Sequence, residues 1–418
     1  MAWVSANRPD RLRITHDAKV LLQARGLRAF ADGLVSVVLP LYLLARGFSP
    51  LRIGALVTAT LLGSAAVSLG VGFWAYRVDR TALLRTVALA MAATGVLFFA
   101  CSGFWPLLIV ATVGTLNPSS GDVSVFLPTE QALLPSTVED RHRTSLFARY
   151  AFVGFGLAAL GALAAVAATP LQRWLGPSEV VVLRAAFGLY AVIGLVVWST
   201  YRRLTPGLGN TETAMVVPLG PSRPIVMRLA LLFSLDAFGG GFVVQAILVL
   251  WLRQRHELST TTTGLLFFWA GLASAASALS APWLARRIGL IRTMVFTHLP
   301  ANAFLVVAAF MPSATGAVIF LLARAVLSQM DVPARTSYVM AVVTPAERPA
   351  AASATNVPRS LAAAATPFAA GWLLSTTSFG WPLVIAGILK AAYDLILLQM
   401  FRDLRPPEEQ QTHRGRPS

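Results

Sequence analysis

The chain has 418 residues, of which 56% are hydrophobic and only 12% are charged, and its mean hydropathy is +0.67. Soluble domains carry about 25% charged residues, so a surface this poor in charge cannot face water on all sides but can face lipid. The composition therefore excludes an ordinary soluble protein and predicts an integral membrane protein. The single cysteine, Cys101, excludes an internal disulfide and a zinc site built from several cysteines.

Apolar stretches long enough to cross a bilayer begin at residue 24 and recur with short polar breaks, which predicts twelve transmembrane helices. The preceding residues 1–23 lack the apolar core and cleavage site of a secretory signal, and we expect a cytoplasmic N-terminal segment there. The runs are continuous rather than alternating, which excludes a strand-built barrel. The predicted spans are 24–45, 51–75, 82–101, 105–134, 145–170, 180–201, 225–252, 260–285, 291–311, 316–343, 353–376 and 381–401.

One break between spans is much longer than the others. Residues 202–224 are rich in Gly, Pro and Thr and separate the sixth span from the seventh. We interpret them as a cytoplasmic linker between a six-helix bundle at 24–201 and a second six-helix bundle at 225–401. Residues 402–418 are then a cytoplasmic tail.

The formal net charge of +16 arises from 34 Lys and Arg against 18 Asp and Glu. If both termini are cytoplasmic, most of the basic residues lie on the cytoplasmic side, as the positive-inside rule requires. This topology explains the basic composition without nucleic-acid binding, which we do not expect. Helical spans and an Arg- and Ala-rich composition indicate the cytoplasmic (inner) membrane of a bacterium. The five basic residues expected on the opposite side are Arg46, Arg52, Arg173, Arg253 and Arg255.

The two halves repeat weakly at an offset near 210 residues. The tract GFWAYRVDR at 72–80 corresponds to PWLARRIGL at 282–290, and each is followed by LLRT or LIRT. Such a repeat implies two similar bundles that face each other, with a binding site between them at mid-membrane. Further matches in the same register are Gly54 with Gly264, Pro135 with Pro345, and Arg149 with Arg359.

These loops, the span count and the two halves resemble the major facilitator superfamily over about residues 20–401. The family pattern in the loop between spans two and three is Gly-x-x-x-Asp-Arg-x-Gly-Arg, and this chain has Tyr76 in place of the Asp and Asp79 in place of the second Gly. The resemblance implies an all-α membrane protein with twelve transmembrane helices in two pseudo-symmetric six-helix bundles. It also implies that a gating latch is formed by Gly72, Arg77, Asp79, Arg80, Arg287 and Gly289.

Charged side chains inside the spans are the candidate functional residues, because each costs at least about 2.5 kcal/mol at a helix centre on insertion scales. Asp122 follows Asn117-Pro118 in the fourth span, and Asp331 lies beside Pro333 in the tenth. A proline that interrupts a helix beside a buried carboxylate is typical of an ion or substrate site. Asp236 precedes three glycines in the seventh span, where either a proton-coupling site or a hydrogen-bonded packing residue is possible.

Several of these charges are spaced to meet on one helix face. Arg28 and Asp32 are four residues apart, as are Asp331 and Arg335, and either functional or purely structural pairs are open. Lys390 and Asp394 have the same spacing, and we expect them to neutralise each other on a peripheral helix. Arg149, Arg324 and Arg359 could clamp an anion or pair with the acids. We expect Arg28, Glu130, Arg149 and Arg184 to lie within reach of the membrane interface and His298 to be a packed, hydrogen-bonded residue.

The chain contains no phosphate-binding loop, His-Glu-x-x-His or Cys-x-x-Cys motif, so we expect no catalytic residues, no metal site, no cofactor and no enzyme. The favoured function is a secondary active transporter that works by alternating access and uses a proton gradient to export a drug-like or amphiphilic compound. One alternative is a transporter of a polar metabolite or organic anion, and another is a non-transporting receptor or assembly factor. The expected partners are a small-molecule substrate, protons and the lipid bilayer, and we expect a monomer.

Overall fold

The structure is a computed structural model that describes residues 15–74, 79–119, 126–138, 143–176, 178–208, 219–344 and 347–401. In these ranges the chain forms helices and no strands. The first half contains α1 (His16–Ala45), α2 (Pro50–Trp74), α3 (Arg80–Ala100), α4 (Phe104–Val113), α5 (Phe126–Leu133), α6 (Arg143–Ala164), α7 (Ala168–Leu175) and α8 (Glu179–Tyr201). The second half contains α9 (Arg223–Gly241), α10 (Gln245–His256), α11 (Thr260–Ile288), α12 (Leu290–Phe310), α13 (Ala314–Leu327), α14 (Asp331–Val342), α15 (Arg348–Thr376) and α16 (Trp381–Phe401).

Ten helical stretches in the described ranges are long and apolar enough to cross a membrane, and they coincide with ten of the twelve predicted spans. The predicted fourth span contains the short apolar helix α4 and resumes at α5. The predicted eleventh span is α15, which has 29 residues but includes Asn356, Arg359 and two prolines. Large apolar side chains lie on the outer surface, and Leu231, for example, is 71% exposed. Such a surface is suited to lipid.

Two predicted spans of the second half are interrupted, and the break near Pro333 was anticipated from the sequence. The seventh span divides at residues 242–244, directly after the glycines that end α9. The tenth span divides at residues 328–330, so Asp331 begins α14 and Pro333 lies in its first turn. Proline is tolerated there because the first backbone N–H groups of a helix have no partner within the helix. Residues of both breaks, Val243 and Val244 in the first and Ser328 and Gln329 in the second, line the space between the two halves.

The helices before residue 208 pack mainly on one another, and those after residue 219 do the same. The most extensive contacts between the two sets are α2 with α15, α6 with α11, and α1 with α10. The first two join the second span to the eleventh and the fifth to the eighth. These pairs are equivalent under exchange of the two halves, which agrees with the internal repeat.

Glycines bring the halves together at the end of the bundle that is distal to the chain termini. A Cβ on Gly54 of α2 would lie 2.5 Å from the backbone oxygen of Pro367 and 2.9 Å from the Cα of Gly371, both on α15. A Cβ on Gly264 of α11 would lie 2.9 Å from the backbone oxygen of Ala162 on α6. Small residues allow such close approach of helix backbones.

Two hydrogen bonds between the halves lie at the same distal end. The backbone N–H of Phe368 donates to Thr58 Oγ1 at 2.8 Å, and Thr261 Oγ1 donates to Thr169 Oγ1 at 3.0 Å. A third joins the halves deeper in the bundle, where Ala246 N–H donates to the Pro118 oxygen at 3.1 Å. The described contacts therefore fasten the halves at the distal end.

Candidate functional site

A cavity of about 400 Å³ lies between the two halves. From the first half, the described lining is Ser119 and one face of α6, formed by Phe155, Ala158, Ala159 and Ala162. The rest of the described lining comes from the second half and includes glycines of α9 and charged residues of α9, α13, α15 and α16. The volume lies in the range of small-molecule sites, which are about 300 to 1,000 Å³.

Asp236 of α9 lines this cavity and is the centre of a charged network. Its Oδ1 accepts a hydrogen bond from Lys390 Nζ of α16 at 2.5 Å, and its Oδ2 accepts one from Arg335 Nη1 of α14 at 3.3 Å. The same Arg335 nitrogen lies 3.3 Å from Asp331 Oδ2. Asp236 and Asp331 are each only 4% exposed. One buried carboxylate thus joins three spans, and the sequence candidates Asp236, Asp331 and Arg335 belong to a single site.

The predicted pairing of Lys390 with Asp394 is wrong. Lys390 extends across the face of α9, where its Cγ would lie 3.0 Å from a Cβ on Gly239 and its Nζ 3.7 Å from a Cβ on Gly240. The missing side chains of these glycines leave room for the lysine stem to reach Asp236. The charges therefore pair between helices rather than along α16.

Asp394 has its own partners on α12. His298 Nδ1 donates to Asp394 Oδ1 at 3.0 Å, and Asn302 Nδ2 donates to Asp394 Oδ2 at 2.9 Å. The prediction of a packed, hydrogen-bonded His298 is confirmed by these contacts. His298 Nε2 also lies 3.8 Å from Asp236 Oδ1, so the histidine connects Asp394 to the central network.

A second buried network lies within the first half. Arg28 of α1 forms an ion pair with Glu130 of α5, and the hydroxyls of Tyr150 and Tyr201 also donate to this carboxylate. Arg28 and Glu130 are both buried, so the expectation that they reach the membrane interface is wrong for these two residues. The three donors, Arg28, Tyr150 and Tyr201, take the place of the water that would solvate Glu130 at the interface. The Phe126 ring lies 4.2 Å from the Arg28 guanidinium carbon.

Arg28 therefore has a closer partner than the predicted Asp32. Asp32 is half-buried and accepts a hydrogen bond from the amide of Asn117, in the segment that follows α4. Arg28, Asp32 and Glu130 are not among the described residues that line the cavity. This network connects spans within one half.

The other predicted site residues lie in several places. Arg324 of α13 and Arg359 of α15 line the cavity, whereas Arg149 is exposed on α6 and is not among the described lining residues. Asp122 lies outside the described residues, as does Arg77 of the predicted gating loop. The sequence predicts only structural or interfacial roles for Lys390, His298 and Glu130, and it does not single out Asn302. The spacing of four residues between His298 and Asn302 in an otherwise apolar helix was an available signal.

The remaining gating-loop residues lie at helix ends. Asp79 caps α3, where its carboxylate accepts hydrogen bonds from Thr81 N at 3.0 Å and Thr81 Oγ1 at 2.8 Å. Partial burial opposes ionisation of Asp79, but these hydrogen bonds outweigh it and the pKa lies below its usual value. Gly289 joins α11 to α12 with a φ of +89°, a conformation that favours glycine. Gly72 lies in the last turn of α2, Arg80 begins α3, and Arg287 lies over the Trp283 ring at 4.3 Å.

Glu347 fixes the end of the predicted linker to the loop between α14 and α15. Its carboxylate accepts hydrogen bonds from Ser222 Oγ at 2.6 Å, Thr344 Oγ1 at 2.8 Å and Gly220 N at 2.5 Å. These hydrogen bonds, that from Ser222 most strongly, lower the pKa of Glu347 to about 2. The contact lies at the membrane end that carries the termini.

A helical membrane protein with a polar cavity between two similar halves has the architecture of a small-molecule transporter. Residues 24–330, more than half of the chain, match the model of the Major Facilitator Superfamily. The chain belongs to the major facilitator superfamily, and the resemblance deduced from its loops is confirmed. Family and fold together make it a transporter rather than an enzyme.

Solved structures share this fold at low sequence identity. A bacterial homologue of the human lysosomal transporter Spinster, in an inward-facing and occupied conformation, has a TM-score of 0.70 at 15% identity, with 93% of this chain and 97% of that chain covered. The nucleoside transporter NupG has a TM-score of 0.68 at 11% identity, covering 92% and 99%. In sequence, the uncharacterized membrane protein YJR124C of Saccharomyces cerevisiae is 25% identical over 428 residues, which cover 93% of this chain and 94% of the yeast protein.

Proposed function

We propose that this transporter is a secondary active one that moves a small molecule through the central cavity by alternating access, driven by a proton gradient. The observation that carries the proposal is the network around Asp236, which borders the cavity and joins α9, α14 and α16. Buried charges in a membrane are costly and are retained where they serve transport or proton transfer. A carboxylate that binds two cations from different helices responds directly to movement of those helices.

The coupling step is a change of partner at Asp236. With Lys390 at 2.5 Å, the carboxylate is stabilised in its charged form. If α14 and α16 both move away from α9, Asp236 loses Arg335 as well as Lys390 in a site that water reaches poorly, and it takes up a proton instead. Return of Lys390 releases that proton. Protonation and helix position are thereby linked, as proton-driven transport requires.

The distal contacts between the halves would stabilise one of the two alternating states, the one in which the cavity is closed at the distal end. Opening the cavity at that end requires separation of Gly54 from Gly371 and of Gly264 from Ala162. With cytoplasmic termini, as the distribution of Lys and Arg predicts, the described conformation is closed on the outside. It then corresponds to the inward-facing state named for the Spinster homologue.

We further propose that the protein is a monomer in the cytoplasmic membrane of a bacterium and exports an amphiphilic compound in exchange for protons. The mixed lining supports an amphiphile, since apolar Phe155 and Leu266 share the cavity with polar Gln245 and Gln329. The direction is tested by the sign of the pH change, because antiport and symport move protons oppositely relative to the substrate.

The test is a proton-flux assay on the purified protein in sealed vesicles that contain a pH-sensitive dye. Wild type is compared with Asp236→Asn and with Asp17→Asn, a matched control at the start of α1, against a mixed panel of cationic drugs and organic acids. We expect a substrate-dependent pH change that is retained by the control and lost in Asp236→Asn. The double variant Asp236→Asn/Lys390→Met removes one charge of each sign, which guards against loss by misfolding alone. Undiminished proton flux in both Asp236 variants contradicts the proposal.

A further inference from the structure

The charge of the described cavity lining is unbalanced. Among these residues, Arg324 and Lys390 share the cavity with a single carboxylate, Asp236. That carboxylate is already bound by Lys390 and by Arg335, which is not among the described lining residues. Positive charge is therefore left over at the cavity wall in the described part of the protein.

Arg324 carries this excess most clearly. It lies in the last turn of α13, and its Nε is buried without a hydrogen-bond partner among the described residues. Asp236 and Asp331 act on Arg324 through space, but neither forms an ion pair with it, because both are held by Arg335. A guanidinium nitrogen can donate but not accept a hydrogen bond, and leaving its N–H unpaired away from water is costly. An oxyanion in the cavity would satisfy the Nε of Arg324.

The rest of the lining indicates what else such a ligand carries. Phe155, Leu266 and Phe267 form apolar surface, and the alanines of α6 leave space beside it. Gln245 and Gln329 add amide groups that can donate or accept hydrogen bonds. The lining therefore combines a cationic position, an apolar wall and a few neutral polar groups. Its complement is a molecule with an anionic head and an apolar or aromatic body.

We propose that the transported molecule is an organic oxyanion whose carboxylate or phosphate is bound by Arg324, while its apolar body lies against the α6–α11 wall. This inference rests on the proposed transport function and names the substrate class of that same cavity. Arginine suits this role because its planar fork can form two parallel hydrogen bonds to a carboxylate or phosphate.

The test compares ligands that share a carbon skeleton and differ in charge. The first probes are 4-phenylbutyrate, its amide 4-phenylbutanamide and the amine 4-phenylbutylamine, with phenyl phosphate to separate phosphate from carboxylate. A panel of further acid, amide and amine triads varies the skeleton. Binding is measured by the shift in melting temperature of the purified protein, and movement by uptake into proteoliposomes. The variants are Arg324→Gln, Arg324→Lys and the control Arg173→Gln, which removes an exposed arginine of α7.

We expect anionic members to bind and move, and the matched amides and amines to do neither. Arg324→Gln should weaken anion binding roughly 10- to 100-fold, which is the effect of losing a buried charged hydrogen-bond donor. Arg324→Lys should fall between wild type and Arg324→Gln because it keeps the charge but not the fork. The melting temperature without ligand should stay level or rise in Arg324→Gln, whereas a purely structural arginine would lower it.

The outcomes separate this inference from the transport proposal. If amines or amides move and acids do not, transport stands and the anion inference is overturned. The same holds if acids move equally well in wild type and Arg324→Gln. If no compound of any charge binds or moves in sealed vesicles, the transport proposal fails for ligands of this size and the anion inference fails with it.

Discussion

Arg28 on α1 forms an ion pair with Glu130 on α5, which joins the first and fourth spans of the first half. The second half joins its own first and fourth spans by an ion pair of opposite polarity, Asp236 with Arg335 at 3.3 Å. The internal repeat has thus kept the connected spans and exchanged the charges. Of the two acids, Asp236 lines the cavity, whereas Glu130 is enclosed by tyrosines and is absent from the described lining.

The Arg28–Glu130 pair is predicted to act on stability. Glu130→Ala leaves Arg28 buried without its anion and should lower the free energy of unfolding by about 3 to 5 kcal/mol. The double variant Arg28→Leu/Glu130→Leu removes both charges and should recover most of that loss. Thermal unfolding in detergent measures both. Equal destabilisation of the single and double variants would show that something other than the unpaired charge is responsible.

Lys390 is predicted to matter more for coupling than Asp394, although both lie on α16. Lys390→Met removes the nearest cation from Asp236 and should reduce substrate-dependent proton flux at least tenfold. Asp394→Asn should have a smaller effect, because the amide oxygen can still accept from His298 or Asn302. Both variants are measured in the same vesicle assay. Equal loss of proton flux in the two variants would indicate that Lys390 and Asp394 act as an ion pair on α16. It would contradict the assignment of Lys390 to Asp236 and of Asp394 to His298 and Asn302.

The glycine contact between α2 and α15 is predicted to control opening at the distal end. Gly54→Ala places a methyl group 2.5 Å from a backbone oxygen, and the backbones must separate. Overpacking of this kind costs about 1 to 3 kcal/mol, enough to shift a two-state equilibrium by about tenfold or more toward the open state. Gly156→Ala on α6 is the control, since a Cβ there meets nothing within 4 Å.

This shift is measurable by cysteine labelling. With Cys101 replaced by serine, a cysteine in place of Val244, which lines the cavity, reports access from the distal side to a membrane-impermeant maleimide. Gly54→Ala should increase the labelling rate, and Gly156→Ala should leave it unchanged. Unaltered labelling in both would show that this contact does not hold the distal end closed.

The Glu347 contact predicts a pH dependence with a defined sign. Its pKa is lowered from 4.5 to about 2 in the folded protein, so its contribution to stability is present above pH 4.5 and is lost as the pH falls toward 2. Wild type should therefore be more stable than Glu347→Gln at pH 6, and the difference should shrink between pH 4.5 and 3. Thermal unfolding of both proteins across this range provides the measurement. A difference that is constant with pH would exclude the carboxylate as its source.

The spans could be predicted from the sequence because a bilayer imposes a minimum apolar length, and α2 and α3 begin and end close to the predicted limits. The start of α1 was predicted less well, since the helix begins at His16 rather than at residue 24. The side chain that pairs with each buried charge was harder to predict. The spacing of Lys390 and Asp394 on one helix is visible in the sequence, but the groove over Gly239 and Gly240 that leads Lys390 to another helix exists only after packing. The environment of Glu130 was predicted wrongly for the same reason. Its position near the end of a span indicates how far it lies from the interface, but not that two tyrosines pack around it.

The described cavity wall from the first half contains Ser119, Phe155 and three alanines of α6, and no charged residue. In the described part of the protein, the charged lining residues therefore belong to the second half, whereas the apolar wall is shared between α6 of the first half and α11 of the second. As the halves rock, a bound head group would travel with the second half while the face of α6 moves along the apolar body. Changing the alanines of α6 could then alter the size of the molecule that is accepted while leaving its required charge untouched. The size and the charge of the substrate could therefore change independently of each other.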